Sequence, residues 1–316
     1  ISKENFFNAS AMYTRGLNSK NLINDSRNVI LKSIGATNFD IIFTGSATEA
    51  NNMAILSNAN KKNKNFVFSM SEHPSVYNVA KELEYKGLDV RYANLTKDGR
   101  VDIEHFKSII DENTCFVSIM QVCNETGAVN DIKELVSIAK VKNKSVIFHV
   151  DGVQAFMKIP VNLANLGVDM YTISSHKVNG PKGVGALLVK KGVNINTLIH
   201  GGGQENNKRS GTENVPGIVG LAEAIKISYK EFEYTNKKIL DLRNYFITNT
   251  AANFFSYINV NVNTRKNESF DKILEKVLNN CYAKYVKVRQ FKDEYALSER
   301  GFIGLLGVLV DSSRQD

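Results

Sequence analysis

The amino-acid sequence predicts an α/β domain built on a mainly parallel sheet. Two observations carry that expectation. Before residue 221, short apolar runs rich in β-branched residues alternate with amphipathic stretches of helical length, as expected for strands joined by crossover helices. All four prolines and 18 of the 21 glycines also lie before residue 221, so the composition changes there.

The elements follow in order. A helix is expected over Asp25 to Ile34, then a strand over Ile41 to Phe43. Ser46 and Glu49 have capping-box spacing, which starts a helix running to Ser57. The aromatic and β-branched run Phe66 to Phe68 predicts the next strand, followed by a helix over Ser75 to Tyr85. Strands at Val90 to Tyr92 and Phe116 to Met120 enclose a helix at Ile103 to Ile110, and a further helix spans Ile132 to Lys140. Three apolar runs, Val146 to Val150, Met170 to Ile173 and Val184 to Val189, complete seven strands. The longest helix runs from Val219 to about Phe246.

Composition narrows the class. With 316 residues, 43% hydrophobic and 23% charged, the chain is neither a disordered segment nor a membrane-embedded one. The net charge of +8 is spread out, with 25 basic and 20 acidic residues up to residue 220 and 15 and 12 after it. No Lys/Arg run interleaved with aromatics argues for nucleic acid as a partner. Cys115, Cys123 and Cys281 show neither CxxC pairing nor zinc-ligand spacing, so no metal is expected and a reducing, cytoplasmic setting follows. No signal-peptide core opens the chain, and the apolar run 301–310 is too short to span a bilayer, so no membrane partner is expected. The absence of an initiator Met suggests a fragment or a processed start.

In open α/β sheets ligands bind beyond the carboxyl ends of the strands. After the first strand, Thr44 to Asn52 combines small residues, a helix start and the Thr48 hydroxyl. It reads equally as a phosphate cradle and as a well-capped helix. Asp151 and Gln154 follow the fifth strand, and Ser174-Ser175-His176-Lys177 follows the sixth, ahead of a Gly/Pro-defined turn. A lysine on rigid backbone, a carboxylate and phosphate donors are what pyridoxal phosphate chemistry requires: an amine for the Schiff base and an acid for the pyridine nitrogen. Gly183-Val184-Gly185 lacks the third glycine of GxGxxG, and no GxxxxGK[ST] loop occurs, so dinucleotide and P-loop readings fail.

The stretches TGSATEANN (44–52), SEHPSV (71–76), VCNETG (122–127), HVDGVQ (149–154), SSHKVNGPKGVG (174–185) and GGGQENNKRSGTENVPGIVG (201–220) resemble the ordered motifs of cysteine desulfurases of the NifS/IscS type. The resemblance runs from about Asn5 to about Phe246. It implies the class V aminotransferase version of the pyridoxal-phosphate-dependent transferase fold type I, with helices on both faces of the sheet and an incomplete smaller C-terminal domain. Residues 1–14 would be the remnant of an N-terminal segment, 15–220 the large cofactor-binding domain, and 221–316 the linking helix and divergent small domain.

The resemblance also assigns roles. Lys177 is similar to the lysine that binds pyridoxal 5'-phosphate covalently, and His73 to the histidine that stacks on its ring. Asp151 matches the partner of the pyridine nitrogen, and Gln154 the residue at the phenolic oxygen. Ala47, Thr48, Ser174 and His176 match phosphate-binding positions, and Asn124 an asparagine near the cofactor and the substrate carboxylate. Thr212 matches a threonine that reaches the neighbouring subunit's phosphate, which implies a homodimer. The implied activity converts L-cysteine to L-alanine and passes sulfur as a persulfide, with a sulfur-acceptor or scaffold protein as partner and iron–sulfur assembly as one destination. The alternatives are another class V lyase or transferase, or a non-catalytic scaffold.

Departures bear on the activity. Nothing like YLDNAATT precedes Asn5, and no loop like SGSACSS, which carries the sulfur-accepting cysteine, occurs in the 316 residues. Cys281 lacks small neighbours, and Arg289, Arg300 and Arg314 lie outside a matching motif. The chain is therefore expected to hold the cofactor but, by itself, to desulfurate cysteine poorly or not at all.

Overall fold

The structure is a computed structural model that describes residues 7–61 and 63–262, with side chains as far as Tyr245. One compact unit takes in the described residues up to Asn124 and from Ala128 to Glu233; Glu125–Gly127 and the described residues from Tyr234 onward belong to a second.

The first unit carries a seven-stranded sheet in the order β1-β7-β6-β5-β4-β2-β3. The strands are β1 (Phe39–Thr44), β2 (Asn65–Ser69), β3 (Asp89–Ala93), β4 (Thr114–Met120), β5 (Ile147–Asp151), β6 (Met170–Ser174) and β7 (Gly185–Lys190). All pairings are parallel except those of β7, which runs antiparallel to both β1 and β6. The expected mainly parallel sheet is therefore present, with one reversed strand set inside it.

Helices cover both faces, and β2 shows why. Its side chains alternate in direction: Val67 joins the large core with Ile30, Phe106 and Leu135, whereas Phe66 and Phe68 pack with Val76, Val79, Ala80 and Leu83. Thus α1 (Thr14–Ser33), α4 (Ile103–Ile109) and α5 (Ile132–Lys142) lie on one face, and α3 (Pro74–Tyr85) lies on the other. There α2 (Ala47–Leu56) also packs Ala50, Met53 and Ala54 on Ile42 and Leu187. Burying each Phe-sized side chain contributes roughly 1.5–3 kcal/mol.

Helix α1 begins at Thr14, well before the expected Asp25. Its buried stripe, Gly16, Ser19, Ile23, Ser26 and Ile30, has helical spacing but is built partly from small residues, so hydrophobic periodicity hides it. The Ser26 hydroxyl satisfies itself by donating to Leu22 O at 2.7 Å. The long helix, expected from Val219, runs from Val215 to Val262, with Pro216 in its first turn. Among the described residues no helix is long and apolar enough to cross a membrane.

Candidate active site

The reversed strand shapes the carboxyl edge of the sheet. Gly185, the first residue of β7, pairs with Thr44 at the end of β1 and with Ser174 at the end of β6. A Cβ at Gly185 would lie 2.5 Å from the Ser46 carbonyl carbon and 2.7 Å from Ala47 N, so only glycine lets the β1–α2 loop close onto the edge. Within that loop Ser46 Oγ accepts from Glu49 N at 3.2 Å, and Glu49 Oε2 accepts from Gly45 N at 2.8 Å. Glu49 is also held by Arg209, whose Nε lies 2.7 Å from Oε1. The N–H groups of Ala47 and Thr48 find no acceptor among the described residues, and the Thr48 side chain is exposed. The loop is thus both a capped helix and an open donor pair at the positive end of a ten-residue helix.

Asp151 ends β5 and is 4% exposed. Its Oδ1 accepts from Val153 N at 3.0 Å and its Oδ2 from Asn51 Nδ2 at 2.8 Å. Burial pushes its carboxyl up, opposed by those two hydrogen bonds and by the charges of His73 and Lys177. Asn51 Nδ2 also donates to Ser75 Oγ at 2.9 Å, while Asn51 Oδ1 is buried without a partner. His73 caps α3, with Nδ1 accepting from Ser75 N at 3.1 Å, and the following Pro74 restricts its backbone. Beneath Asp151 the Tyr171 ring lies 2.0 Å from where a Cβ at Gly152 would be, so a side chain at 152 is excluded.

Lys177 sits in a short 3-10 turn, Ser175–Val178, closed by Asn179 at φ +62°. It is half-buried and makes no hydrogen bond or ion pair among the described residues. Ser174 Oγ lies 3.0 Å from His176 Nδ1. Burial, with Lys177, Lys182 and Lys158 nearby, pulls the exposed His176 imidazole below its ordinary value. Gln154 accepts from Lys158 Nζ at 2.6 Å. The edge therefore gathers amines and helix N–H groups around one buried carboxyl, an arrangement that suits an anionic ligand with a basic nitrogen.

The family model Aminotransferase class-V matches residues 2–280. The chain belongs to the class-V aminotransferase family. This class-V chain is 43% identical over 248 residues to a protein named cysteine desulfurase IscS from Dictyoglomus turgidum, covering 78% of this chain and 62% of that relative. It is 40% identical to one of the same name from Methanosarcina thermophila, covering 77% and 61%. The chain thus spans about three fifths of the length of the curated relatives it matches. The solved structure of a NifS-like protein is similar with a TM-score of 0.77 and 37% identity, over 80% of this chain and 70% of that one. Another, of SspA in complex with cysteine, has a TM-score of 0.67 and 35% identity, over 70% and 65%. Class-V aminotransferases are known pyridoxal phosphate enzymes.

In this class-V chain, His73, Asp151 and Lys177 stand close enough to interact through their charges. Ser174 and His176 lie beside them, and Ala47 and Thr48 face the same edge across Gly185. Asn124 is half-buried, one residue past Cys123, whose N–H donates to Ala128 O at 2.9 Å. Thr212 is exposed and lines a cavity with Thr44, Gly45, Gly183 and Arg209. Cys115 and Cys123 are buried free thiols, and burial pushes the Cys115 thiol up; Cys281, Arg289, Arg300 and Arg314 lie outside the described residues.

Sequence reasoning missed Asn51, Ser75, Glu72 and Lys158. Asn51 could have been noticed as a polar residue among the buried positions of α2. Glu72 Oε1 accepts from Ser69 Oγ at 2.5 Å and Met120 N at 2.8 Å, while its buried Oε2 has no partner. Burial pushes the Glu72 carboxyl up to about 8, with the Asp151 charge adding to the rise.

Proposed function

We propose that this chain holds pyridoxal phosphate and belongs to a cysteine desulfurase that converts L-cysteine to L-alanine. The observation that carries the reading is the buried Asp151 within reach of the charges of Lys177 and His73. The residues fit the cofactor: the α2 N–H groups and the cationic edge suit a phosphate, the unpartnered Asn51 Oδ1 leaves a polar atom beside Asp151, and Lys177 is an amine without a competing partner among the described residues. One structural neighbour was solved in complex with cysteine, which supports the substrate.

When bound, pyridoxal phosphate supplies the electron sink for bond breaking at the substrate. This chain's residues do the rest. Lys177 would anchor the cofactor covalently, and Asp151 would hold a proton at its ring nitrogen. The N–H groups of Ala47 and Thr48, the Thr48 and Ser174 hydroxyls and His176 would hold its phosphate, while His73 and Gln154 would bind its ring and phenolic oxygen. Asn124 would orient the substrate carboxylate. In the net reaction the Cβ–S bond of cysteine breaks, Cβ takes up a proton, and a protein thiolate gains the sulfur as a persulfide. Burial of Cys115 and Cys123 argues against either as that thiolate.

Borohydride treatment of the cofactor-loaded chain followed by peptide mapping is expected to find the cofactor on Lys177. Alanine is expected to form from L-cysteine, slowly, when a reducing thiol is supplied as sulfur acceptor. Cofactor on a different lysine, or no alanine under these conditions, would overturn the reading.

The active form is read as a homodimer, in which Thr212 completes the neighbouring subunit's phosphate site. Its exposure in this chain supports that role. Sedimentation is expected to give a dimer, and Thr212→Ala is expected to weaken cofactor binding; a monomer that retains the cofactor fully would contradict it.

A further inference from the structure

Lys158 is the second lysine of this edge, and the proposed reaction leaves it without a task. It lies in the turn after β5, where Ala155 O accepts from both Lys158 N and Ile159 N at 3.0 Å. The preceding Met157 stands at φ +58°. A left-handed conformation at a residue other than glycine costs about 1–2 kcal/mol, and it persists where surrounding contacts over-determine it. Beyond this turn Lys158 Nζ meets Gln154 Oε1 at 2.6 Å and lies close enough to Lys177 to feel its charge. Among the described residues no carboxylate lies within ion-pair distance of Lys158.

An ammonium has three donors and no acceptor. Facing Lys158, the Gln154 amide can present only its carbonyl, which leaves the two N–H donors of Nε2 for a ligand. We propose that Lys158 is a positioning residue that fixes the orientation of the Gln154 amide, so that a bound pyridoxal phosphate meets an N–H donor at its phenolic oxygen. The inference rests on the cofactor reading above and concerns a residue that reading does not use.

The arrangement depends on protonation. A neutral lysine amine carries a lone pair and can accept, so loss of the proton frees the amide to turn over. Burial, with the Lys177 charge adding to it, pulls Lys158 down to about 8. The titratable groups that interact with it are Lys177 and His176, both from the turn after β6. Neither is an acid that would hold the proton in place.

The test uses the whole chain in two forms. Without cofactor, the side-chain ¹⁵N–H signal of Gln154 is followed by NMR against pH. It is expected to shift with an inflection near 8, to lose it in Lys158→Met, and to keep its low-pH position throughout in Lys158→Arg, whose guanidinium stays protonated. With pyridoxal phosphate, the cofactor's absorption spectrum and affinity are measured in the same variants. Lys158→Met is expected to bind about ten-fold more weakly, the scale of one hydrogen bond to a charged group, and Lys158→Arg to restore affinity and remove the alkaline spectral change.

In a Gln154→Ala background, Lys158→Met is expected to have no further effect. An equal effect in both backgrounds, or unchanged affinity and spectrum in Lys158→Met, would overturn the proposal. If the cofactor does not bind at Lys177, the functional reading fails instead. The NMR titration then still decides: a Gln154 signal that ignores Lys158 overturns the positioning role.

Discussion

Asp151→Asn is expected to lower turnover of L-cysteine by about a hundred- to a thousand-fold, the scale of removing one charge-stabilising group from an active site, while leaving the cofactor bound. The substitution keeps the shape of the side chain and removes its charge. The new amide can still accept from Val153 N through its oxygen, as Asp151 Oδ1 does at 3.0 Å. Its NH₂ group would face Asn51 Nδ2, which now donates to Asp151 at 2.8 Å. Asn51 can turn its amide over to offer Oδ1, which has no partner now. The Ser75 hydroxyl, 2.8 Å from His73 Nδ1, then has one proton for two acceptors, so one hydrogen bond of this buried group is lost. The cost is local, and the phosphate donors are untouched. What disappears is the anion that, on the proposed reading, would keep a proton on the pyridine nitrogen. Steady-state alanine release and cofactor affinity, measured on the same preparation, check this; near-normal turnover would show that Asp151 has no such role.

Glu72→Gln is expected to change how stability depends on pH. In the folded chain the Glu72 carboxyl titrates at about 8 instead of the ordinary 4.5. Between those values the folded chain keeps a proton that the unfolded chain has released, so stability falls as pH rises through this window and levels off above it. At 1.36 kcal/mol per unit the full loss is on the order of 5 kcal/mol. Buried His149 acts in the opposite sense: burial pulls it down to about 3 from 6.5, so stability is lost as pH falls from 6.5 toward 3. The two contributions oppose each other between 4.5 and 6.5, and Glu72 dominates from 6.5 to 8. Asp151, also pushed up by burial, is common to both proteins. The amide of the variant still accepts from Ser69 Oγ and Met120 N but carries no titratable proton. Its stability relative to the parent should therefore grow by several kcal/mol from pH 4.5 to pH 8. Urea unfolding at a series of pH values measures that difference, and parallel curves would show that Glu72 does not titrate in this window.

The sequence by itself determined where the seven strands lie, to within about two residues at their ends. A strand buried on both faces is a continuous apolar run, so its limits show locally. The candidate site lies where each run stops: Thr44, Asp151 and Ser174, expected just past β1, β5 and β6, are their last residues, and Lys177 follows in the next turn. Only the tertiary structure decided the rest. That β7 runs antiparallel between β1 and β6, and so brings Gly185 against Ser46 and Ala47, depends on pairings between distant segments. The side-chain partner of Asp151, Asn51, comes from 100 residues away, and Glu72 is buried against Met120, 48 residues on. Lys158 was hidden for the same reason. Alone in the sequence it is a charge in a turn, and its state follows from how much water the folded chain removes around it and from Lys177 beside it. Desolvation and non-local hydrogen bonds are properties of packed space and leave no periodic or local mark in the order of residues.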